Sequence, residues 1–373
     1  MSSGRPAEGG RRWPRRAAGD GFEKAMTTPR GRRATLKDVA GLAGTSVATA
    51  SRVLSGAGQA ADETRQRVLG AAGVLNYQPN LQARALRQQA SRSVGLILPS
   101  LGNAYYAALA DSISQILAGR GYHLLLSPTC DDAQAESDTL RDMVGQRVGG
   151  LMVVPCSLDA ETVAYLREQD IPAVAMVRRV PDDGVDTVIF EDYAGAYAAT
   201  RYLVSLGHRA IGYIGGDLCY SSNQARRLGF LAGMRDVGVE ADESLIRLGV
   251  LQGTWGALAA LDLLRRGSPP PTALFVASNI LVPGVMRTLQ SHRVSVPGDI
   301  SLVCFDDVEW FSLTVPTITA VSSSHARMAD TAVALLLNRI EKPDQRQRPP
   351  VLLEVGYELV LRNSTAPPRA TQG

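Results

Sequence analysis

Residues 34–56 read ATLKDVAGLAGTSVATASRVLSG, and the organisation of the chain follows outward from them. Leu36, Val39, Ala40 and Ala43 stand at i, i+3, i+4 and i+7, so a helix from about Leu36 carries one apolar stripe and turns Lys37 and Asp38 outward. Gly44 interrupts it: glycine takes the left-handed conformation that ends a helix, and Thr45 or Ser46 can cap a second helix by accepting a backbone N–H bond. Val47, Ala50, Ser51 and Leu54 repeat the spacing. Two short amphipathic helices joined by a three-residue turn make a helix-turn-helix unit, whose second helix is narrow enough to enter the major groove of DNA. A third helix is expected from Asp62 to Leu75, with Asp62 as candidate cap and Val68, Ala71, Ala72 and Leu75 on its buried side. Beyond it, Pro79 pushes Gln78 out of helical conformation, and LQARALRQQ is too short a basic segment to hold a helix unaided.

Charge is distributed to match. Residues 1–90 hold fifteen Lys and Arg against six Asp and Glu, a balance of +9, so the whole-chain balance of +3 leaves −6 for residues 91–373. The positive end is the one suited to nucleic acid. A chain of 373 residues with 45% hydrophobic content can bury cores in two or more domains. Residues 1–33, rich in Gly, Pro and Arg, show no hydrophobic period and are expected to be disordered. They read either as a basic arm that adds phosphate affinity or as the product of a start codon placed upstream of Met26, and their paired arginines lack the apolar stretch of an export signal. Cys130, Cys156, Cys219 and Cys304 show no metal-ligand or CxxC spacing and read as buried reduced thiols. No apolar run is long enough to span a membrane.

From Ser93 the pattern becomes apolar runs of about five residues alternating with amphipathic stretches. VGLIL (94–98), YHLLL (122–126), GGLMVV (149–154) and AVAMV (173–177) read as strands buried on both faces, with helices at 104–118, 135–146 and 159–169 between them. DTVIF, AIGYIGG, ALFVAS and ISLVCFDD repeat the scheme, with helices near 194–205, 223–237, 254–266 and 281–292. These are two doubly wound parallel sheets, two lobes with a cleft at the carboxyl ends of the strands.

TLKDVAGLAGTSVATASRVLSG followed by NYQPNLQARAL resembles the LacI family of bacterial transcription regulators, and the likeness runs from about Thr35 to about Leu361. It implies an all-α helix-turn-helix headpiece at 34–78, a hinge helix and linker at 79–90, and a periplasmic-binding-protein-like effector domain at 91–373 ending in a short disordered tail. Lobe one is then about 91–178 and 323–354, and lobe two about 179–322 and 355–362. The chain passes between lobes after Val177, near Ser322 and Ser323, and near 354–356. The helix at 326–340 returns to lobe one and YELVLR to lobe two. The resemblance implies a homodimer on double-stranded operator DNA. Val47, Ala48 and Arg52 take the positions that contact the operator. Lys37, Ser46, Thr49 and Ser51 complete the DNA-facing set, in which Arg can bond guanine through two donors while Val and Ala offer apolar contact alone. Leu86 takes the place of a hinge leucine pushed into the minor groove, with Ala83 beside it and Asn80, Arg84 and Arg87 near phosphates.

For the effector, the resemblance points to Tyr105 and Tyr106 as stacking aromatics, Arg226 in RRLGF as a gripping guanidinium and Trp255 in GTWG as a wall. Asp306 is the acceptor of ligand hydroxyls, beside Asp307, and Asn279 or its neighbour Ser278 lies at the end of ALFVAS. An aromatic face with bidentate charged groups suits a sugar. Two departures weaken the analogy: Val177 stands where many sugar-binding members have Asp before Arg, and Ser322, Ser323 and Ser324 replace Gln or Arg. A pentose, hexose or oligosaccharide is favoured, with a nucleobase or another small metabolite as the alternative. No cofactor, metal or membrane partner is implied. His123, His208, His292 and His325 stand without a neighbouring nucleophile and GYIGGD is no dinucleotide fingerprint, which argues against an enzyme. The expectation is a cytoplasmic, nucleoid-associated repressor of carbohydrate genes; the competing reading is a free-standing periplasmic-type sugar-binding protein.

Overall fold

The structure, a computed structural model, describes residues 34–55, 60–77, 91–180, 184–266 and 270–369. The expected N-terminal extension (1–33) and the hinge segment with Asn80, Ala83, Arg84 and Leu86 lie outside the described residues. The chain divides into two compact units, residues 1–88 and residues 89–373.

In the first unit, α1 (Leu36–Leu42), α2 (Val47–Ser55) and α3 (Asp62–Val74) close on a core of Val39, Ala40, Ala43, Ala50, Val53, Val68 and Ala71. Thr35 and Asp38 cap α1 reciprocally, the Asp38 carboxylate accepting the Thr35 N–H at 2.7 Å while the Thr35 hydroxyl accepts the Asp38 N–H at 3.3 Å. Gly44, at φ +62°, ends the helix as expected. Two readings change. The buried side of α2 is Ala50 and Val53 with Leu54 partly covered, and Val47 is 41% exposed, because at the first position of the helix it lies beyond so small a core. Asp62 is not the cap of α3. Ala61 is, without a side-chain bond, and Asp62 serves as a first-turn acid favoured by the helix dipole.

The second unit holds two six-stranded sheets with matching strand orders. Sheet one contains β1 (Ser93–Leu98), β2 (His123–Pro128), β3 (Gly150–Val153), β4 (Ala173–Met176), β5 (Asp186–Phe190) and β11 (Leu352–Val355), in the order β2-β1-β3-β4-β5-β11, all parallel. Sheet two contains β6 (Ile211–Gly216), β7 (Ile246–Gly249), β8 (Ala273–Val276), β9 (Ser301–Phe305), β10 (Thr319–Ser323) and β12 (Tyr357–Val360), in the order β7-β6-β8-β9-β10-β12, with only β12 antiparallel. Helices cover both faces. Over sheet one lie α4 (Ala104–Gly119) and α11 (His325–Glu341) on one side, α5 (Ala133–Gly145) and α6 (Ala160–Glu168) on the other. Sheet two is covered by α7 (Asp192–Ser205) and α8 (Ser221–Arg235) on one side and α9 (Gly253–Arg266) and α10 (Val282–Ser291) on the other.

DTVIF, expected in lobe two, is β5 of sheet one, with Val174 registered against Asp186 and Leu352 against Thr187. Only nine residues part β4 from β5, fewer than a parallel neighbour usually needs for its crossover, which is why the strand reads as a change of lobe. The first passage between lobes therefore follows Phe190; the others fall at Ser324 and Gly356. The three lie side by side, since Phe190 registers with Val355 and Ser323 with Tyr357. β2 is a half-exposed edge strand rather than one buried on both faces. Of the four cysteines, all free, only Cys304 is buried; Cys130 and Cys219 are exposed and Cys156 is intermediate, because they sit in loops after strands rather than within them. Among the described residues no helix is long and apolar enough to cross a membrane.

Helices α9 and α10 meet backbone to backbone: a Cβ built on Gly284 would lie 1.8 Å from the Gly253 carbonyl oxygen and 2.7 Å from the Ala257 nitrogen. Gly284→Ala is therefore expected to lower stability by several kcal/mol. Gly70→Ala, on α3 with nothing within 4 Å, raises helix stability by about 0.5–1 kcal/mol. Denaturant unfolding of the two variants checks the contrast.

Candidate functional site

The headpiece presents one face of α2. Ser46, Val47, Ala48 and Arg52 are exposed, Thr49 and Ser51 half-buried, and Lys37 is exposed on α1. The Ser46 hydroxyl accepts the Thr49 N–H at 3.1 Å and lies 2.9 Å from the Thr49 hydroxyl, so these two groups fix the helix start and each other. Val47 and Ala48 add apolar surface to this exposed face and Arg52 a cationic group.

In the second unit, the groups converge on Arg226. Its side chain leaves the first turns of α8, and its guanidinium stacks 3.8 Å above the Phe305 ring at the end of β9. Nε donates to Asp192 Oδ1 at 2.7 Å, and one terminal nitrogen to the Ala277 carbonyl at 2.7 Å and Asp306 Oδ2 at 3.2 Å. The other terminal nitrogen donates to Asp306 Oδ1 at 3.1 Å. Asp306 also accepts from the Ser323 hydroxyl at 3.2 Å and, weakly at 3.4 Å, from Asn279 Nδ2. That same Asn279 nitrogen donates across the cleft to Asn103 Oδ1 at 3.0 Å, an oxygen that also caps α4 by accepting the Tyr105 N–H at 3.0 Å. Arg226, Asp192, Asp306, Asn279 and Asn103 are all buried. Burial works against the Arg226 charge, but Asp306 and Asp192 overcome it and hold its pKa above the ordinary value. For Asp192 burial prevails over the pull of Arg226 and pushes the carboxyl up to about 6.

Tyr105 and Tyr106 close the lobe-one side edge to face, centroids 5.8 Å apart, with Phe190 at 5.8 Å from Tyr105. The Tyr105 hydroxyl is buried without a hydrogen-bond partner, and burial followed by the Asp306 charge pushes its pKa well up. Beside Tyr105 a cavity of about 430 Å³ opens between the start of α4 and the segment Asp307–Leu313, with His325 on its wall. The other candidates have plainer roles. Asp307 is bound by Arg362 at 2.8 and 2.9 Å, and Trp255 donates to the Gly215 carbonyl at 3.3 Å and covers Gly249 at the ends of β6 and β7. A cavity of about 440 Å³ lies at the opposite, amino-terminal ends of β4 and β5, but Arg339 there is bound to Asp186 and to the Arg348 and Pro349 carbonyls. The residues that sequence reading did not single out are Asp192 and Asn103; Ser323 stood out only as a departure from the family pattern. Asn103, directly before an apolar run, carried an N-cap signal; Asp192 carried none.

Asp192 supplies a test. A carboxyl whose folded pKa, about 6, exceeds the ordinary value of 3.8 favours folding more as pH falls. Wild type is expected to gain about 1 kcal/mol on Asp192→Asn between pH 7 and pH 5 in denaturant unfolding. A constant difference would mean the group stays ionised throughout.

Comparison with known proteins places this architecture. Residues 35–80 match the family of bacterial regulatory proteins, lacI family, and residues 200–365 a periplasmic binding protein-like domain. The HTH-type transcriptional repressor PurR of Actinobacillus pleuropneumoniae serotype 3 (strain JL03) is 31% identical over 331 residues, 89% of this chain and 98% of PurR. The lac repressor dimer bound to operator and the anti-inducer ONPF superposes with a TM-score of 0.78 at 26% identity, covering 90% of this chain and 100% of that one. The transcriptional regulator CelR in complex with cellobiose gives a TM-score of 0.67 at 28% identity, over 89% and 100%. A helix-turn-helix unit followed by two matched sheets, alike over nearly the whole length of known repressors, makes this chain a DNA-binding transcriptional repressor with an effector domain, not an enzyme, and a member of the LacI family.

Proposed function

We propose that the protein represses carbohydrate-utilisation genes as a cytoplasmic homodimer whose hold on its operator is set by a sugar-like molecule between the lobes. The observation that carries this reading is the buried Arg226–Asp306 pair at the carboxyl ends of the strands, joined to lobe one by the Asn279–Asn103 bond at the same point. Carboxylate, guanidinium and amide groups beside tyrosine rings are what a polyhydroxylated ligand needs for orientation. The CelR complex with cellobiose and the operator-bound lac repressor dimer agree in kind with ligand and partners. In this reading the headpiece is 34–78, the hinge 79–90 and the effector domain the remainder, with lobe two beginning after Phe190. Ligand binding changes the angle between lobes, and with it the spacing of the paired DNA-binding ends, by stabilising one of two arrangements.

A sugar screen by thermal shift, followed by fluorescence anisotropy on the promoter upstream of the chain's own gene, tests the scheme. Asp306→Asn is expected to keep operator affinity and lose the response to the stabilising sugar; a full response would remove Asp306 from the site. Arg52→Ala is expected to weaken operator binding by about 1–3 kcal/mol while sparing random duplex, and equal losses on both would reduce Arg52 to a phosphate contact.

A further inference from the structure

Arg226 is not the only guanidinium buried at the cleft. Arg178, 3% exposed, follows β4 in lobe one; its amino groups reach both oxygens of Asp131 at 2.6 and 3.4 Å and the Pro155 carbonyl at 3.1 Å. Its flat face lies 3.7 Å from the ring centroid of Tyr220, which precedes α8 in lobe two. Tyr106 lies close enough to both pairs for the charges of Arg178, Asp131, Asp306 and Arg226 all to act on its phenol. Two cations thus meet three carboxylates, Asp131, Asp192 and Asp306, and the group carries a balance of −1.

The backbone shows that this matching is built in. Among the described residues, nine other than glycine have positive φ, and Asn76, Arg147, Asp170 and Arg293 are ordinary residues just past a helix end. The remaining five, Cys130, Asp131, Leu158, Val177 and Asp306, all lie in loops that follow strands toward the cleft. Asp131 and Asp306, which grip Arg178 and Arg226 through two oxygens each, are among them, and so is the residue before Arg178. Left-handed backbone at such residues is unfavourable and persists where a side chain must be held in one place.

We propose that Asp131, Asp192 and Asp306 set the chemical class of the effector: an uncharged, hydroxyl-bearing molecule, with phosphate esters refused. The inference rests on the cleft being the effector site. A hydroxyl can donate to a carboxylate already bound to arginine, because each carboxylate oxygen accepts more than one bond. The terminal oxygens of a doubly ionised phosphate ester can only accept, and its charge must either displace a carboxylate from its arginine or lie beside three carboxylates. Asp131 is in this sense a specificity-determining residue.

The test uses the full chain, thermal shift and titration calorimetry, with inorganic phosphate against chloride at equal ionic strength and the pairs glucose and glucose 6-phosphate, ribose and ribose 5-phosphate. Wild type is expected to gain no stability from phosphate, and any sugar that binds is expected to bind at least about 100-fold more tightly than its ester, the order set by one unrelieved charge contact. Asp131→Asn, which uncovers Arg178, is expected to become stabilised by inorganic phosphate; Asp306→Asn, which uncovers Arg226, serves if the first variant does not fold. Stabilisation of wild type by an ester but not its parent sugar overturns the proposal, and so does a folded variant indifferent to phosphate. If the variant responds to phosphate and no neutral compound binds wild type, the charge matching holds and the reading of the cleft as a sugar site falls.

Discussion

A guanidinium taken out of water must be given carboxylates and carbonyls at once, and the Arg226 group is arranged around that demand. Breaking such a buried pair by removing one partner typically costs about 3–5 kcal/mol, far more than an exposed ion pair contributes. The four groups bonded to or stacked on Arg226 come from three places, the start of α7, the residue after β8, and the end of β9 with the loop after it, and Ser323 of β10 is attached through Asp306. The cluster fixes where these ends stand relative to one another.

Its position also relates ligand chemistry to movement. Asp192 stands two residues beyond Phe190, where the chain first enters lobe two; Ser323 is the last residue of β10 before the chain leaves it; and the charge of Glu354, near the third passage, acts on Asp192. On the function proposed above, a molecule that competes for Asp306 or adds to it acts on the segments that join the two lobes. Small shifts at such a cluster become changes of arrangement because packed cores hold discrete positions rather than bending smoothly.

Much of this was legible in the sequence, and the parts that were not share a cause. The headpiece followed from the 3.6-residue period and from Gly44, the sheets from short apolar runs, and the choice of Arg226 and Asp306 from the resemblance to a known family, though as ligand contacts and not as partners of one another. Val47, spaced with the apolar stripe of α2 yet expected to face DNA, is exposed, because periodicity marks a stripe without saying how much of it a small core covers. The start of α7 was read near Ala194, two residues late, which left Asp192 in an unremarked loop. Asp131 met Arg178 only through folding, 47 positions away, and no local pattern announces such a partner. β5 was assigned to the wrong lobe because a short connection between parallel neighbours is uncommon.

The two outermost strands, Leu352–Val355 and Tyr357–Val360, are separated by Gly356 alone, yet they complete different sheets. Neither half of the body can be cut out as one continuous piece of polypeptide. During synthesis, which proceeds from the amino end, each sheet waits for its last member until residues 352–360 have been made. Both are then finished within a few residues of one another, so that a ribosome stalling shortly before this point releases two unfinished lobes instead of one good one.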